Sequence, residues 1–329
     1  MKKMICLLLA LVMTAALAAC GESSAEPTEA PTKAPTTAPT EPPTETPTEP
    51  ETEAATEAAT EAKPGNIDLK AFIKAFDTKP ALEEQAVYDK DKVKVTVTDI
   101  VYDTINGPTL NISVDNKTDK NLMAQSDCVV VNGYMVAGEM DIAAKAGAVS
   151  KGTLVIPYTS LAIAEISSIA QIEFSVRILE QKSFEVIAES DMISLITSGY
   201  EDYEPTFDDK GQTALNSKGV KIVFKGMDRR EIFDDGPTLL VYMYNGTKKS
   251  VTIQACDIKV NGYEFTSAMN TTIIPGKHAV DVLTFFNMDM QEYGIEHIDN
   301  IELVFEIHDE ESWDLITKTK KISYIVESE

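Results

Sequence analysis

Along Thr109-Leu110-Asn111-Ile112-Ser113-Val114-Asp115 apolar and polar residues alternate one by one, and Ile172-Glu173-Phe174-Ser175-Val176-Arg177-Ile178 does the same. A period of two predicts strands with one face on a core and the other in water. Similar or more continuous apolar runs over 93–100, 122–131, 134–142, 149–156 and 184–195 predict about seven strands in this stretch. Turn chemistry separates them. Asn132-Gly133 suits a two-residue hairpin in which both central residues need positive φ. Short strands with turns roughly every ten residues predict a β-sandwich. A brief helical crossing is expected at 159–166, just before the most strongly alternating strand.

The same pattern then recurs. From Gly107 onward the chain can be laid on itself at an offset of 129 residues without a gap. Gly107-Pro108-Thr109-Leu110 falls on Gly236-Pro237-Thr238-Leu239, Asn116 on Asn245, Gln125 on Gln254, and Val131-Asn132-Gly133-Tyr134 on Val260-Asn261-Gly262-Tyr263. The second copy adds Pro275-Gly276, which suits a type II turn, and its helical crossing is expected at 288–295. The chain is therefore read as all-β: two tandem immunoglobulin-like antiparallel sandwiches, 66–198 and 215–329, joined by an acidic hinge at 199–214. A short amphipathic helix opens the first. Over 68–76, Leu69, Phe72, Ile73 and Phe76 share one helical face and Pro80 stops the run; packing on the first sandwich is the expected role, and lying on a membrane the alternative.

Ahead of the folded part the composition changes twice. Residues 1–19 join a basic start, Lys2-Lys3, to an apolar run and then Leu17-Ala18-Ala19, the layout of an export signal. The cysteine that follows makes this segment similar to the lipobox of bacterial lipoproteins. That resemblance implies lipidation of Cys20 and an anchor in the outer leaflet of the cytoplasmic membrane. Residues 20–65 consist mainly of Pro, Thr, Glu and Ala, with ten Glu against two Lys over 21–63. Such a tract is expected to be a disordered, solvated spacer that reaches about 130 Å at roughly 3.1 Å per residue. A Thr/Pro-rich tract is also a substrate for O-linked sugars.

Charge narrows the partners. The chain carries 29 Lys and Arg against 53 Asp and Glu, a net charge of −24. An acidic surface repels nucleic acid and anionic lipid headgroups, so no nucleic-acid partner is expected. Its four cysteines include Cys6 in the signal and Cys20, leaving Cys128 and Cys256 in the folded part. At the 129-residue offset they are one position out of register, which places them on opposite faces unless a bulge intervenes. No structural disulfide is expected. The histidines, His278, His297 and His308, all lie in the second copy, outside any His-Glu-x-x-His or Cys-x-x-Cys context. The acidic Tyr200-Glu201-Asp202-Tyr203-Glu204 and Asp208-Asp209 invite a Ca2+ clamp only by analogy, since the EF-hand order is missing. Neither a cofactor nor a catalytic constellation is predicted, and the chain is read as non-enzymatic.

The Gly-Pro segment, the Asn-x-Thr segment, the Val-Asn-Gly-Tyr hairpin and the entry Ile166-x-x-Ile169-x-x-Ile172-Glu173, repeated as Ile295, Ile298, Ile301 and Glu302, resemble tandem β-sandwich lipoproteins of Gram-positive bacteria, mostly of unknown function. The resemblance implies a fold and an extracellular, membrane-tethered location, and transfers no catalytic residue. One difference between the copies bears on function. Where the first has Asn111, Ser113 and Asp115 opposite its core-facing residues, the second has Leu240, Tyr242 and Tyr244. Two readings stand. The strip packs against the hinge, the first copy or a covering loop, because large apolar patches are seldom left bare; or it forms a tyrosine platform for a sugar or a protein. Val304 extends the strip if its strand neighbours that of Tyr242. The expected function is presentation of two modules at the cell surface to an extracellular ligand, a glycan or an envelope protein, with a structural or accessory subunit of an envelope assembly as the alternative.

Overall fold

The computed structural model describes residues 67–228 and 235–326. The expected export signal, the spacer and Cys20 lie outside the described residues. The first element is a short helix, α1 (Leu69–Ala75), whose N-terminus Asp68 caps by accepting from the Ala71 amide at 3.0 Å. Its apolar face packs where the periodicity pointed: Leu69, Phe72 and Ile73 lie on the first core, and Phe76 meets Tyr158 edge-on at 5.2 Å between ring centres. No described helix is long and apolar enough to cross a membrane.

The first module contains β1 (Gln85–Lys90), β2 (Val93–Asp103), β3 (Gly107–Asn116), β4 (Leu122–Val131), β5 (Tyr134–Val136), β6 (Glu139–Ala144) and β7 (Ala148–Val155). A short helix α2 (Tyr158–Ile163) leads on to β8 (Gln171–Glu180), β9 (Val186–Glu189) and β10 (Ile193–Ile196). Antiparallel pairing orders one sheet β1-β2-β3-β7 and the other around β4 and β8, with β9 and β10 on the outer edge of β8. This is the Greek-key order of an immunoglobulin-like sandwich. The second module repeats it with β11 (Gln212–Ser217), β12 (Val220–Asp228), β13 (Thr238–Asn245), β14 (Val251–Val260), β15 (Tyr263–Glu264), β16 (Met269–Ile273), β17 (His278–Thr284), α3 (Asn287–Glu292), β18 (Asn300–Asp309), β19 (Leu315–Lys318) and β20 (Ile322–Ile325).

The shared sequence signatures are structural devices, used alike in both copies. Asn132 and Gly133 have φ of 51° and 86°, and Asn261 and Gly262 have 49° and 87°, as a primed hairpin turn requires. Each asparagine does more than turn the chain. Asn132 accepts from the amides of Ala170 and Gln171 and donates to the Ser168 carbonyl, tying the hairpin to the entry of β8; Asn261 makes the matching bonds to Asp299, Asn300 and His297. The buried Asn116 donates to the carbonyls of Lys120 and Ala144 and accepts from Thr118, and Asn245 repeats this with Lys249, Ile273 and Thr247. The Gly-Pro pairs open strands. A Cβ on Gly236 would lie 2.0 Å from the Phe285 carbonyl oxygen, and one on Gly107 would lie 2.2 Å from that of Ile156.

Three readings of the pattern need correction. The run 134–142 is two strands, because β6 changes sheets: Glu139 and Met140 pair with β7 while residues 141–144 pair with β4. The run 184–195 likewise divides into β9 and β10. Strand β1 was not anticipated, since Gln85-Ala86-Val87-Tyr88-Asp89-Lys90 alternates poorly, yet it pairs along β2.

Bulges decide the cysteine question. The β4–β8 register slips between Ser126 and Val129, and the β14–β18 register between Cys256 and Lys259. Cys256 is thereby paired with Val304, while Cys128 bonds to Ser175, the position matching Val304 in the first copy. The irregularity brings both thiols beside equivalent positions despite their offset. Both are free and half-buried, and burial pushes each above its ordinary pKa.

Candidate binding site at the seam between the modules

The two modules meet through an edge strand. In the first module β6 crosses to pair with β7; its counterpart β16 pairs with β14 alone, so the matching side of β17 is left open. Strand β5 of the first module pairs at the other end of β17, residues 278–279, and not at 283–284, where the β6 pairing would fall. Tyr134 and Met135 pair in parallel with His278 and Ala279, and the His278 amide donates to the Gly133 carbonyl at 3.1 Å. Around this pairing the Ile274 amide meets the Met135 sulfur at 3.3 Å, and Lys277 forms an ion pair with Glu173 across the seam.

The apolar strip on β13 lies under this junction. Leu239, Val241 and Met243 face the second core, while Tyr242 and Val223 belong to the buried cluster of the first module. Tyr242 is only 2% exposed and Leu240 7%. Strand β13 is therefore buried on both faces, and Tyr242 is not a free platform. Val304 does not extend the strip, because β18 lies in the opposite sheet, paired with β14.

Aromatic rings close the seam. Phe207 of the hinge stacks on the His278 imidazole, 3.6 Å between centres and 10° from parallel. Tyr244 stacks on the same imidazole at 4.6 Å, and Tyr134 packs against Phe207 at 5.3 Å. Gly133 allows the approach, since a Cβ there would lie 3.0 Å from the Phe207 ring; at Gly262, its counterpart, it would meet nothing. The hinge is thus not merely polar. Asp208 pairs with Lys225 and Asp209 with Lys221, fastening the hinge to β12. Burial tends to raise the Asp208 carboxyl, but the bonds from Lys225 and the Lys210 amide outweigh it and hold the group below its ordinary pKa. Among the described residues, no cluster of three or more His, Cys, Asp or Glu has the arrangement to hold a metal ion.

Burial also lowers the His278 pKa from 6.5 to about 4, with Asp209 opposing and Lys277 assisting. The imidazole is neutral near pH 7, and its Nδ1 shares a 2.6 Å hydrogen bond with the Tyr242 hydroxyl. Burial likewise pushes Tyr242 far above the usual phenol range and Tyr134 up to about 12. Beside this cluster lies an open cleft of about 640 Å³, lined by Phe207, Asp209, Asn216, Lys221, Tyr244 and His278. Of the strip, Tyr242 and Tyr244 reach the cleft; Leu240 does not line it. Ring faces and polar tips together suit a flat ligand rich in hydroxyl or amide groups.

Phe207 and His278 carry much of this site and escaped the strip argument. Phe207 follows Tyr200 and Tyr203 in an acidic stretch that reads as a polar hinge. His278 replaces Val149 at the 129-residue offset, so comparing β7 with β17 as well as β3 with β13 exposes it.

No family model and no curated protein matches the chain. Among solved structures, a red sea bream transglutaminase is 8% identical over 75% of this chain and 31% of that one, with a TM-score of 0.20. A Salmonella enterica SafA pilin in complex with the SafB chaperone is 11% identical over 73% of this chain and 98% of that one, also at 0.20. An Amycolatopsis orientalis exo-chitosanase is 14% identical over 68% of this chain and 26% of that one, again at 0.20. The chain thus spans about a third or less of the two enzymes. At these scores the likenesses carry no argument, and the immunoglobulin-like fold rests on the strand pairings described above.

Proposed function

We propose that the protein is a non-enzymatic, lipid-anchored binding protein of the extracellular face of a bacterial membrane, tethered through Cys20 and its spacer. Its two sandwiches act as one arm, and the ligand seat is the cleft at the seam. The observation that carries this reading is the cleft itself: Tyr244, Phe207 and His278 supply ring surface, and Asp209, Asn216 and Lys221 supply polar tips. A glycan or another hydroxyl-rich ligand fits that combination. The test is thermal unfolding of the secreted chain with Cys20→Ser, in the presence of wall fragments, oligosaccharides and Ca2+. Binding to the native state alone adds about 2.7 kcal/mol at a hundredfold excess over Kd. Stabilisation by one ligand that Tyr244→Ser abolishes supports the reading; no stabilisation by any of them sinks it.

An accessory role in an envelope assembly is favoured by a different observation. The β4–β5 hairpin of the first module clasps the second module through Tyr134, whereas the equivalent Tyr263 is 48% exposed and stacks on Tyr293 at 5.0 Å. That hairpin matches a docking element, yet among the described residues its β15 strand pairs with β14 alone. Crosslinking in cells separates the readings: an accessory subunit returns one stoichiometric protein partner through Tyr263, and a glycan receptor does not.

A further inference from the structure

At the 129-residue offset Phe184 falls on Trp313, Ser183 on Ser312 and Val186 on Leu315. Both rings stand at the tip of the hairpin that follows the most strongly alternating strand of their module. Phe184 is 63% and Trp313 52% exposed, and Val186 and Leu315, two residues further on, are exposed as well. Both aromatics have left-handed backbones, with φ of 57° and 62°. A bulky residue there is disfavoured by roughly 1–2 kcal/mol, and a strained, exposed residue points to a role outside packing. The strain occurs in both copies.

The tip of the second module is held rigid. Asp309 accepts from the amides of Glu311 and Ser312 and pairs with Lys249, while the Trp313 amide donates to the Asp309 carbonyl at 2.9 Å. The buried His308 ring stacks beneath the indole, 5.0 Å between centres and 12° from parallel, and shares a hydrogen bond with the Trp313 carbonyl at 3.3 Å. The indole is thus supported on one side and more than half exposed. Around it stand Glu310, Glu311, Ser312 and Asp314, all exposed and rich in acceptor oxygens. A flat apolar ring bordered by acceptors matches the C–H face and hydroxyl donors of a sugar. The same acidic border disfavours anionic lipid headgroups and anionic polymers.

We propose that the two hairpin tips, centred on Phe184 and Trp313, are a duplicated binding site for an uncharged polysaccharide, each ring stacking on one sugar of the chain. The proposal rests on the ligand-binding reading above and adds a site separate from the seam.

Trp313 is the only tryptophan in the chain, so its fluorescence reports on this site directly. The Cys20→Ser chain is titrated with gluco-, manno-, xylo- and N-acetylglucosamine tetrasaccharides, with oligogalacturonate and phosphatidylcholine vesicles as contrasts. A saturable change in emission with a neutral sugar is expected. Calorimetry should then show affinity lowered about tenfold by Trp313→Ala, the loss of one stacking ring, and largely kept by Trp313→Phe. Phe184→Ala should lower the stoichiometry or affinity of the same neutral tetrasaccharide in calorimetry. Three results overturn the proposal: no emission change with any neutral sugar, a response only to vesicles or oligogalacturonate, or sugar affinity untouched by both alanine variants. Sugar binding lost in Tyr244→Ser but intact in the tip variants would retain the seam and remove this site.

Discussion

Acid should unlock the seam, and His278 sets the range in which it does so. Its imidazole is packed between Phe207 and Tyr residues 134, 242 and 244, with Asp209 and Lys277 as the charged neighbours. The folded pKa, about 4, lies below the ordinary 6.5, so the folded chain resists a proton that the unfolded chain accepts. Stability is therefore greatest above pH 6.5, declines as pH falls through 6.5 toward 4, and loses nothing more to this group below 4. At 1.36 kcal/mol per pKa unit, the decline between pH 6.5 and 5 is about 2 kcal/mol, and roughly 3 kcal/mol by pH 4. Carboxylates titrate in the lower part of the range, so the quantity to measure is a difference. Urea unfolding of the Cys20→Ser chain is followed from pH 7.5 to 4.5, with and without His278→Gln. The wild type should lose about 2 kcal/mol more than the variant by pH 5. Parallel curves would refute the reasoning, as would an imidazole that titrates near 6.5 by NMR.

Other perturbations test the structural devices separately. Asn245→Ala removes the bonds to the Ile273 and Lys249 carbonyls and from the Thr247 amide, and should destabilise the second module by about 3 kcal/mol in chemical denaturation. Gly236→Ala places a methyl against the Phe285 carbonyl at a φ of 145° and should lower stability by about 3 kcal/mol or more; a thermal midpoint within a degree or two of wild type would contradict the assigned backbone. Phe184→Gly and Trp313→Gly relieve left-handed strain while adding chain entropy, so denaturation should show stability unchanged or raised by up to about 1 kcal/mol. A clear loss would mean that the rings hold the hairpins together.

Much of the architecture was legible because it depends on local pattern. Alternation located β3 and β8, and the helical crossings expected before the eighth and eighteenth strands began within one residue of α2 and α3 but ran three residues too long. The Asn-Gly pairs announced their turns, since positive φ at two adjacent positions is a local demand. The strip of Leu240, Tyr242 and Tyr244 was visible as a contrast between two copies of one pattern. It showed that this face of β13 differs from that of β3.

Its cover could not be read the same way. Phe207 reaches His278 across 71 positions of chain, and Tyr134 reaches it across 144; no periodicity spans such separations. The side switch of β6 and the missing switch of β16 depend on which sheet edge is open, a property of the assembled sandwich. The bulges that bring Cys128 and Cys256 to matching sites are single-residue events that reverse a face, and alternation has no means to place them. By itself the sequence determined a duplicated β-sandwich, its turns and its unequal faces, because strands and turns answer to neighbouring residues. Only the tertiary structure decided that β5 of one module extends the sheet of the other and that Tyr242 is buried there, because an open edge and an apolar face are satisfied by whatever folding brings beside them.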